Sequence, residues 1–244
     1  MTRFFTKRND ISGRTILLNA EDAAHIRSLR LKPDELFVVC DGEGTDHICR
    51  LSETYDKNSP PEAEIVETRP SAGEPTVNCT VYIAYSKGER LDYAVQKSVE
   101  LGAREIILYP SARCVSVPRD VPKKITRFQR IALETAKQSF RGHIPEVSSA
   151  GSFKEVIDRA SLAGLPIFFY ECEYRLHLKQ LLEQNDTLSS VSIVTGPEGG
   201  FEPHEAEYAK TKGMNAVSLG PRILRCETAP AAALAAIMYH TGNL

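Results

Sequence analysis

Tryptophan is absent from these 244 residues, methionine occurs three times and aromatic residues make up only 7% of the chain. Even so, 42% of the residues are apolar, enough for one large or two modest cores without metal or disulfide support. The six cysteines (40, 49, 79, 114, 172 and 226) show no Cys-x-x-Cys spacing and no paired histidines accompany them. Neither a metal site nor a secreted disulfide framework is supported, and small core residues in a reducing, cytoplasmic compartment are expected. Long apolar runs are also missing. The longest, 229–239, is too short to span a bilayer, and no apolar segment follows the basic residues near the start, so neither membrane insertion nor a signal peptide is expected.

Two familiar phosphate-binding patterns are absent as well. Nowhere does a glycine-rich loop close with Gly-Lys-Ser/Thr, and G-x-G-x-x-G does not occur. What the chain does have is Thr195-Gly196-Pro197-Glu198-Gly199-Gly200-Phe201, with Leu219-Gly220-Pro221-Arg222-Ile223-Leu224-Arg225-Cys226-Glu227-Thr228-Ala229 downstream. Each follows a short apolar run and precedes a helical pattern, so two strand-to-helix loops open at the same edge of one sheet. Glycine at 196, 199, 200 and 220 would let a flat heterocycle lie against main chain. Glu198 would repel a phosphate but tolerate a cationic ligand such as the sulfonium of S-adenosylmethionine. The plain alternative is a pair of tight turns with a helix-capping acid.

Net charge is only −2, but it is unevenly spread. From Arg113 to Arg141, eight basic residues face only Asp120 and Glu134, whereas from Asp34 to Glu74 eleven acids face three bases. A basic segment in a neutral protein is either a phosphate footprint or a solvated helix face.

Residues 1–73 read as short β-runs (15–18, 35–40, 45–51 and 63–68) with one helix capped by Asn19, the pattern of a small barrel. The stretch 68–75, with two prolines and a glycine, marks a boundary. From 74 to 244 strands and helices alternate, and the strands 78–84, 105–109, 165–170, 191–194 and 216–219 lack strict alternation, as buried parallel strands do. Helices are expected at about 89–101 and 122–139. Ser152 with Glu155 and Pro203 mark two further starts, and Thr228 begins the last helix.

Together with both glycine loops, Arg3-Phe4-Phe5, the 25–30 stretch His-Ile-Arg-Ser-Leu-Arg, Gln96-Lys97 with Glu100-Leu101-Gly102, and Gln138-Ser139-Phe140-Arg141 resemble landmarks of the knotted (SPOUT-class) RNA methyltransferases. Within that class the chain is most similar to the RsmE family, the small-subunit (16S) rRNA uridine-N3 methyltransferases, across nearly its whole length. The resemblance implies an α/β fold: a knotted parallel sheet flanked by helices over 74–244, preceded by a PUA-like RNA-binding β-barrel over 1–73. It also implies a homodimer, S-adenosylmethionine as cofactor, and ribosomal RNA or the small ribosomal subunit as partner. One departure is Cys226, where the family more commonly has threonine.

Under that resemblance Glu171, Thr195, Gly196, Glu198, Gly199, Gly200, Leu219, Gly220, Ile223, Leu224 and Arg225 would border the cofactor. Arg225 is permanently charged and could stabilise the uridine anion formed when N3 loses its proton; the alternative is a salt bridge to Glu198 or Glu227. Glu227 could orient Arg225 or cap the helix. The proton acceptor stays open among Glu198, Glu227 and water. Arg3, Arg8, Arg27, Arg30, Lys97, Lys123, Lys124, Arg127, Gln138 and Arg141 are the expected RNA contacts, with an outward polar helix face as the alternative for those on helices.

Overall fold

A computed structural model describes residues 2–7, 10–52 and 62–244, which fall into two units: Met1–Glu74 with Ala136–Ile144, and Pro75–Thr135 with Pro145–Leu244. Arg8, one of the expected RNA contacts, lies outside the described residues. Against the expected division at residue 73/74, residues 136–144 group with the first unit. The Glu74 carboxylate explains this. It accepts from the Arg141 guanidinium at 2.8 Å and from the Gly142 and His143 N–H groups at 2.7 and 3.0 Å.

The first unit runs β1 (Arg3–Phe5), β2 (Ile11–Ser12), β3 (Thr15–Leu17), α1 (Ala20–Leu29), β4 (Phe37–Cys40), β5 (Thr45–Leu51) and β6 (Glu62–Pro70). They form one six-stranded sheet in the order β1-β4-β5-β6-β3-β2, with β1 parallel to β4 and the other pairs antiparallel. The β5–β6 register shifts between Ile48 and Cys49. Phe4, Ile16, Phe37, Val39 and Leu51 fill its core together with Ile26 from α1. Asn19 caps α1 as expected, its side-chain oxygen accepting the Asp22 N–H.

In the second unit the elements are β7 (Asn78–Ala84), α2 (Arg90–Glu100), β8 (Glu105–Tyr109), α3 (Val121–Gln138, whose last residues belong to the first unit), β9 (Glu146–Ser149), α4 (Phe153–Ala160), β10 (Leu165–Phe169), α5 (Leu178–Glu183), β11 (Ser190–Thr195), α6 (Pro203–Thr211), β12 (Asn215–Val217) and α7 (Thr228–His240). All six strands are parallel, in the order β12-β10-β11-β7-β8-β9. Val81, Ile83, Ile107, Ile167 and Ile193 are essentially buried, which is why these runs do not alternate. From β7 the chain lays down β8 and β9 on one side, then crosses over and inserts β11 between β7 and β10. The loops after β10, β11 and β12 therefore open at one carboxyl edge, where ligands bind in open α/β sheets.

Candidate active site

The first glycine loop leaves β11 at Thr195, which is fully engaged. Its hydroxyl donates to the Tyr82 carbonyl at 3.2 Å, and its own carbonyl accepts the Tyr109 hydroxyl at 2.9 Å. The glycines that follow make room for the protein's own side chains. A Cβ at Gly196 would stand 2.9 Å from the Phe201 ring, and one at Gly199 would stand 3.0 Å from the Arg113 side chain. At Gly200, which has φ of +68°, a Cβ would sit 1.8 Å from the Glu171 carboxylate. The protein's own atoms occupy the Cβ positions of these three glycines, while the glycines themselves line the cleft. Phe201 is buried and lies 4.4 Å, ring to ring, from Phe168. Gly220 is different: φ is +115° and nothing lies near a Cβ there. At the second loop the Cβ position of Gly220 is therefore left open.

Between the loops lies a cleft of about 870 Å³, within the range of small-molecule sites. Leu219, Gly220, Ile223, Leu224 and Arg225 line one side, and 195–200 line the other. Glu171 also borders it, but its carboxylate accepts the Phe201 N–H at 3.0 Å, so it braces the first loop from the end of β10.

Glu198 pairs with a residue the sequence did not single out. One carboxylate oxygen accepts from the Lys87 N–H and from the Arg90 guanidinium, both at 2.8 Å. Its other oxygen is buried and has no hydrogen-bond partner among the described residues. Burial would raise this carboxyl, but the Lys87 N–H and the Arg90 charge outweigh it and hold the group below the ordinary glutamate value. A carboxylate so held is a poor proton acceptor.

Arg225 is exposed and lines the cleft, and among the described residues its side chain has no hydrogen bond or ion pair. The alternative pairing with Glu198 or Glu227 does not form. Its carbonyl accepts from Thr228 and Ala229, which fixes Arg225 at the start of α7. Glu227 neither caps that helix through its side chain nor forms an ion pair with Arg225; it accepts the Cys226 thiol at 3.2 Å. Burial and the neighbouring Glu227 push that thiol up to about 11, so Cys226 is a half-buried filler, not a nucleophile.

Comparison with known proteins bears directly on this geometry. The family model described as an RNA methyltransferase domain matches residues 73–238, and that of an RNA methyltransferase PUA domain matches residues 18–60. Ribosomal RNA small subunit methyltransferase E of Bacillus subtilis is 31% identical, with 99% of this chain and 97% of that protein covered. The chain belongs to the ribosomal RNA small subunit methyltransferase E family. A crystal structure of the family member from Neisseria gonorrhoeae, bound to S-adenosyl methionine, superposes with a TM-score of 0.86 at 32% identity, covering 98% of this chain and 97% of that one.

Family membership makes the expected RNA contacts worth placing one by one. Two of them are interior residues. Arg3 is 6% exposed and Arg141 2% exposed. Arg3 makes a two-pronged ion pair with buried Asp46 and donates to the Arg141 carbonyl at 2.8 Å, while Arg141 is clamped to Glu74. Each completes a buried ion pair that would be costly to open, so both are withdrawn as RNA ligands. Arg27 and Arg30 stay exposed on and just after α1, with Arg30 forming its left-handed cap. Gln138 is exposed at the end of α3.

The basic stretch is also less basic than its composition suggests. Arg113 is tied to Glu202, Arg127 to Asp92 and Lys137 to Asp22, in addition to Arg141 with Glu74. Lys97 is occupied by Glu100 at 2.7 Å. Among the described residues, Arg119, Lys123 and Lys124 are left without an ion pair, so the footprint contracts to the start of α3. The Glu198 contacts of Lys87 and Arg90 and the Gly199 contact of Arg113 leave no trace in the sequence, because these partners lie 86 to 111 residues apart and no local spacing announces them.

Proposed function

We propose that this chain transfers a methyl group from S-adenosylmethionine to N3 of a uridine in 16S ribosomal RNA. The cleft between the two glycine loops carries this proposal. Its volume suits the cofactor, Gly220 leaves bare backbone on one wall, and the buried, unpartnered Glu198 oxygen gives a cationic ligand a complementary atom. S-adenosylmethionine supplies an electrophilic methyl carbon on a positively charged sulfur. The residues of this chain hold donor and acceptor in line, and such alignment is worth effective molarities of about 10⁵–10⁸ M.

N3 gives up its proton and its electron pair forms the new bond to the methyl carbon as the carbon–sulfur bond breaks. Charge accumulates meanwhile on the uracil oxygens. Arg225, exposed at the cleft and uncommitted among the described residues, is the cation placed to meet it. Glu198, already bound by Lys87 and Arg90, shapes the site instead of taking the proton, which leaves Glu227 or water. Arg225→Ala should lower kcat by about 10²–10³ while leaving the cofactor Kd within a few-fold. Undiminished turnover in that variant would remove Arg225 from the chemistry, and a methyl group found on ribose by mass mapping would refute the N3 assignment.

The expected knot is supported by β11 lying between β7 and β10, which obliges the chain to re-enter the sheet after β10 is laid down. The same reading includes a homodimer, in which Ile223 and Tyr174, 84% and 79% exposed at the cleft rim, would be available to a second copy. No helix among the described residues is long and apolar enough to cross a membrane.

A further inference from the structure

A second cleft, of about 600 Å³, adjoins the first and is built by the loop after β7 and the first turns of α2 and α7. Arg90 and Glu227 line both clefts. We infer that this second cleft receives the acceptor nucleotide, with the Tyr93 ring as a stacking platform for the uracil base and the Lys87 ammonium as its phosphate contact. The inference rests on the methyltransferase function proposed above and deepens it by assigning residues to the substrate side.

Three observations converge. In-line transfer needs the reacting atoms about 3–3.5 Å apart, so the acceptor must sit in a space that shares a wall with the donor cleft. The second cleft meets that demand along Arg90 and Glu227. Tyr93 is 48% exposed on α2 although its ring is large and apolar. The Lys97 ammonium lies 5.7 Å from its ring centroid and is held there by Glu100, so one face of the ring is braced. Exposed aromatic faces of this kind stack unpaired bases without needing a particular sequence. Lys87 is exposed, and among the described residues its ammonium has no ion pair. Its neighbour Arg90 is different, being neutralised by Glu198.

The same Glu198 links the two clefts. By accepting both the Lys87 N–H and the Arg90 guanidinium, a residue of the donor loop sets the position of the acceptor loop. Gly88, at φ of +74° with open space around it, lets the chain turn between Lys87, which lines the second cleft, and Arg90, which lines both.

The test uses the full-length protein with two unmethylated substrates, 16S rRNA transcribed in vitro and small ribosomal subunits. Tyr93→Ala and Lys87→Ala should each raise KM for the accepted RNA at least about fivefold. S-adenosylmethionine affinity by calorimetry and kcat at saturating RNA should stay within about twofold of wild type, and Tyr93→Phe should behave as wild type because the ring is retained. RNA substituted with 4-thiouridine and irradiated in the presence of S-adenosylhomocysteine should cross-link to the peptide carrying Tyr93. Unchanged KM in both alanine variants would overturn the assignment. So would an equal loss of cofactor affinity, which would make these residues supports of the donor loop. Protection of Tyr93 from solvent that grows with protein concentration in the absence of RNA would give the surface to a second copy of this chain, again overturning it. If wild type binds the cofactor but methylates neither RNA, the underlying function fails and takes the subsite with it; if wild type is active and the variants match it, the subsite alone fails.

Discussion

Gly200→Ala isolates the contact on which the first glycine loop depends. At φ of +68° an alanine costs about 1–2 kcal/mol in backbone conformation alone. Its Cβ would also fall 1.8 Å from a Glu171 carboxylate oxygen, so that side chain must withdraw and release the Phe201 N–H it holds at 3.0 Å. Losing a hydrogen bond to a charged acceptor removes about 1.5–3 kcal/mol more. The native loop is thus disfavoured by about 2.5–5 kcal/mol, and cofactor affinity falls by the fraction of molecules that retain it. Calorimetric titration with S-adenosylmethionine should show Kd weakened by roughly 10²-fold to several 10³-fold, since each 1.4 kcal/mol is a factor of about ten. Glu171→Ala separates the two contributions. With the carboxylate already gone, adding Gly200→Ala should cost only the backbone strain, so the double variant should be about 1.5–3 kcal/mol better than the sum of the singles. A Gly200→Ala protein that binds within twofold of wild type, or a double variant that is strictly additive, would show that Glu171 does not brace the loop.

Two further expectations follow from the ion pairs. Glu74 is held below the ordinary glutamate value of 4.5: burial opposes ionisation, but the Arg141 guanidinium and the Gly142 and His143 N–H groups outweigh it. Its stabilisation is therefore complete above that value and fades as pH falls through the lower folded value. Arg141→Ala should cost about 3–5 kcal/mol at neutral pH and flatten this part of the acid limb in circular dichroism; an acid limb identical to wild type would show that the pair does not set it. On α3, Lys123→Glu with Lys124→Glu should weaken RNA binding and reduce its salt slope, whereas Arg3→Lys should leave the salt slope as it is because Arg3 faces Asp46. A salt slope unmoved by the paired reversal would make the start of α3 a bystander.

The division between what was legible and what was not follows a physical line. Runs such as 45–51, 78–84 and 105–109 appear as strands at the expected bounds because burial on one or both faces writes itself into local composition. Asn19, Ser152 and Pro203 mark helix starts because a cap acts within three or four residues. Strands β1, β2 and β9 and helix α5 were not foreseen. They span two to six residues, too few for a period to register, and they owe their form to the partners they pair with.

The candidate site divides in the same way. Sequence alone determined that two glycine loops follow strands of one parallel sheet, and therefore that they share an edge, because chain direction and strand polarity are local properties. Charge was misjudged for Arg3, Arg127 and Arg141 because a side chain's availability depends on whether an acid distant in the chain is folded against it. Asp46 is 43 residues from Arg3, Asp92 is 35 from Arg127, and Glu74 is 67 from Arg141. The purpose of Gly196, Gly199 and Gly200 was likewise decided only by folding, which filled their empty Cβ positions with Phe201, Arg113 and Glu171. Spacing along a chain records which backbone shapes are allowed; which atoms occupy the space so created is fixed by residues brought in from elsewhere.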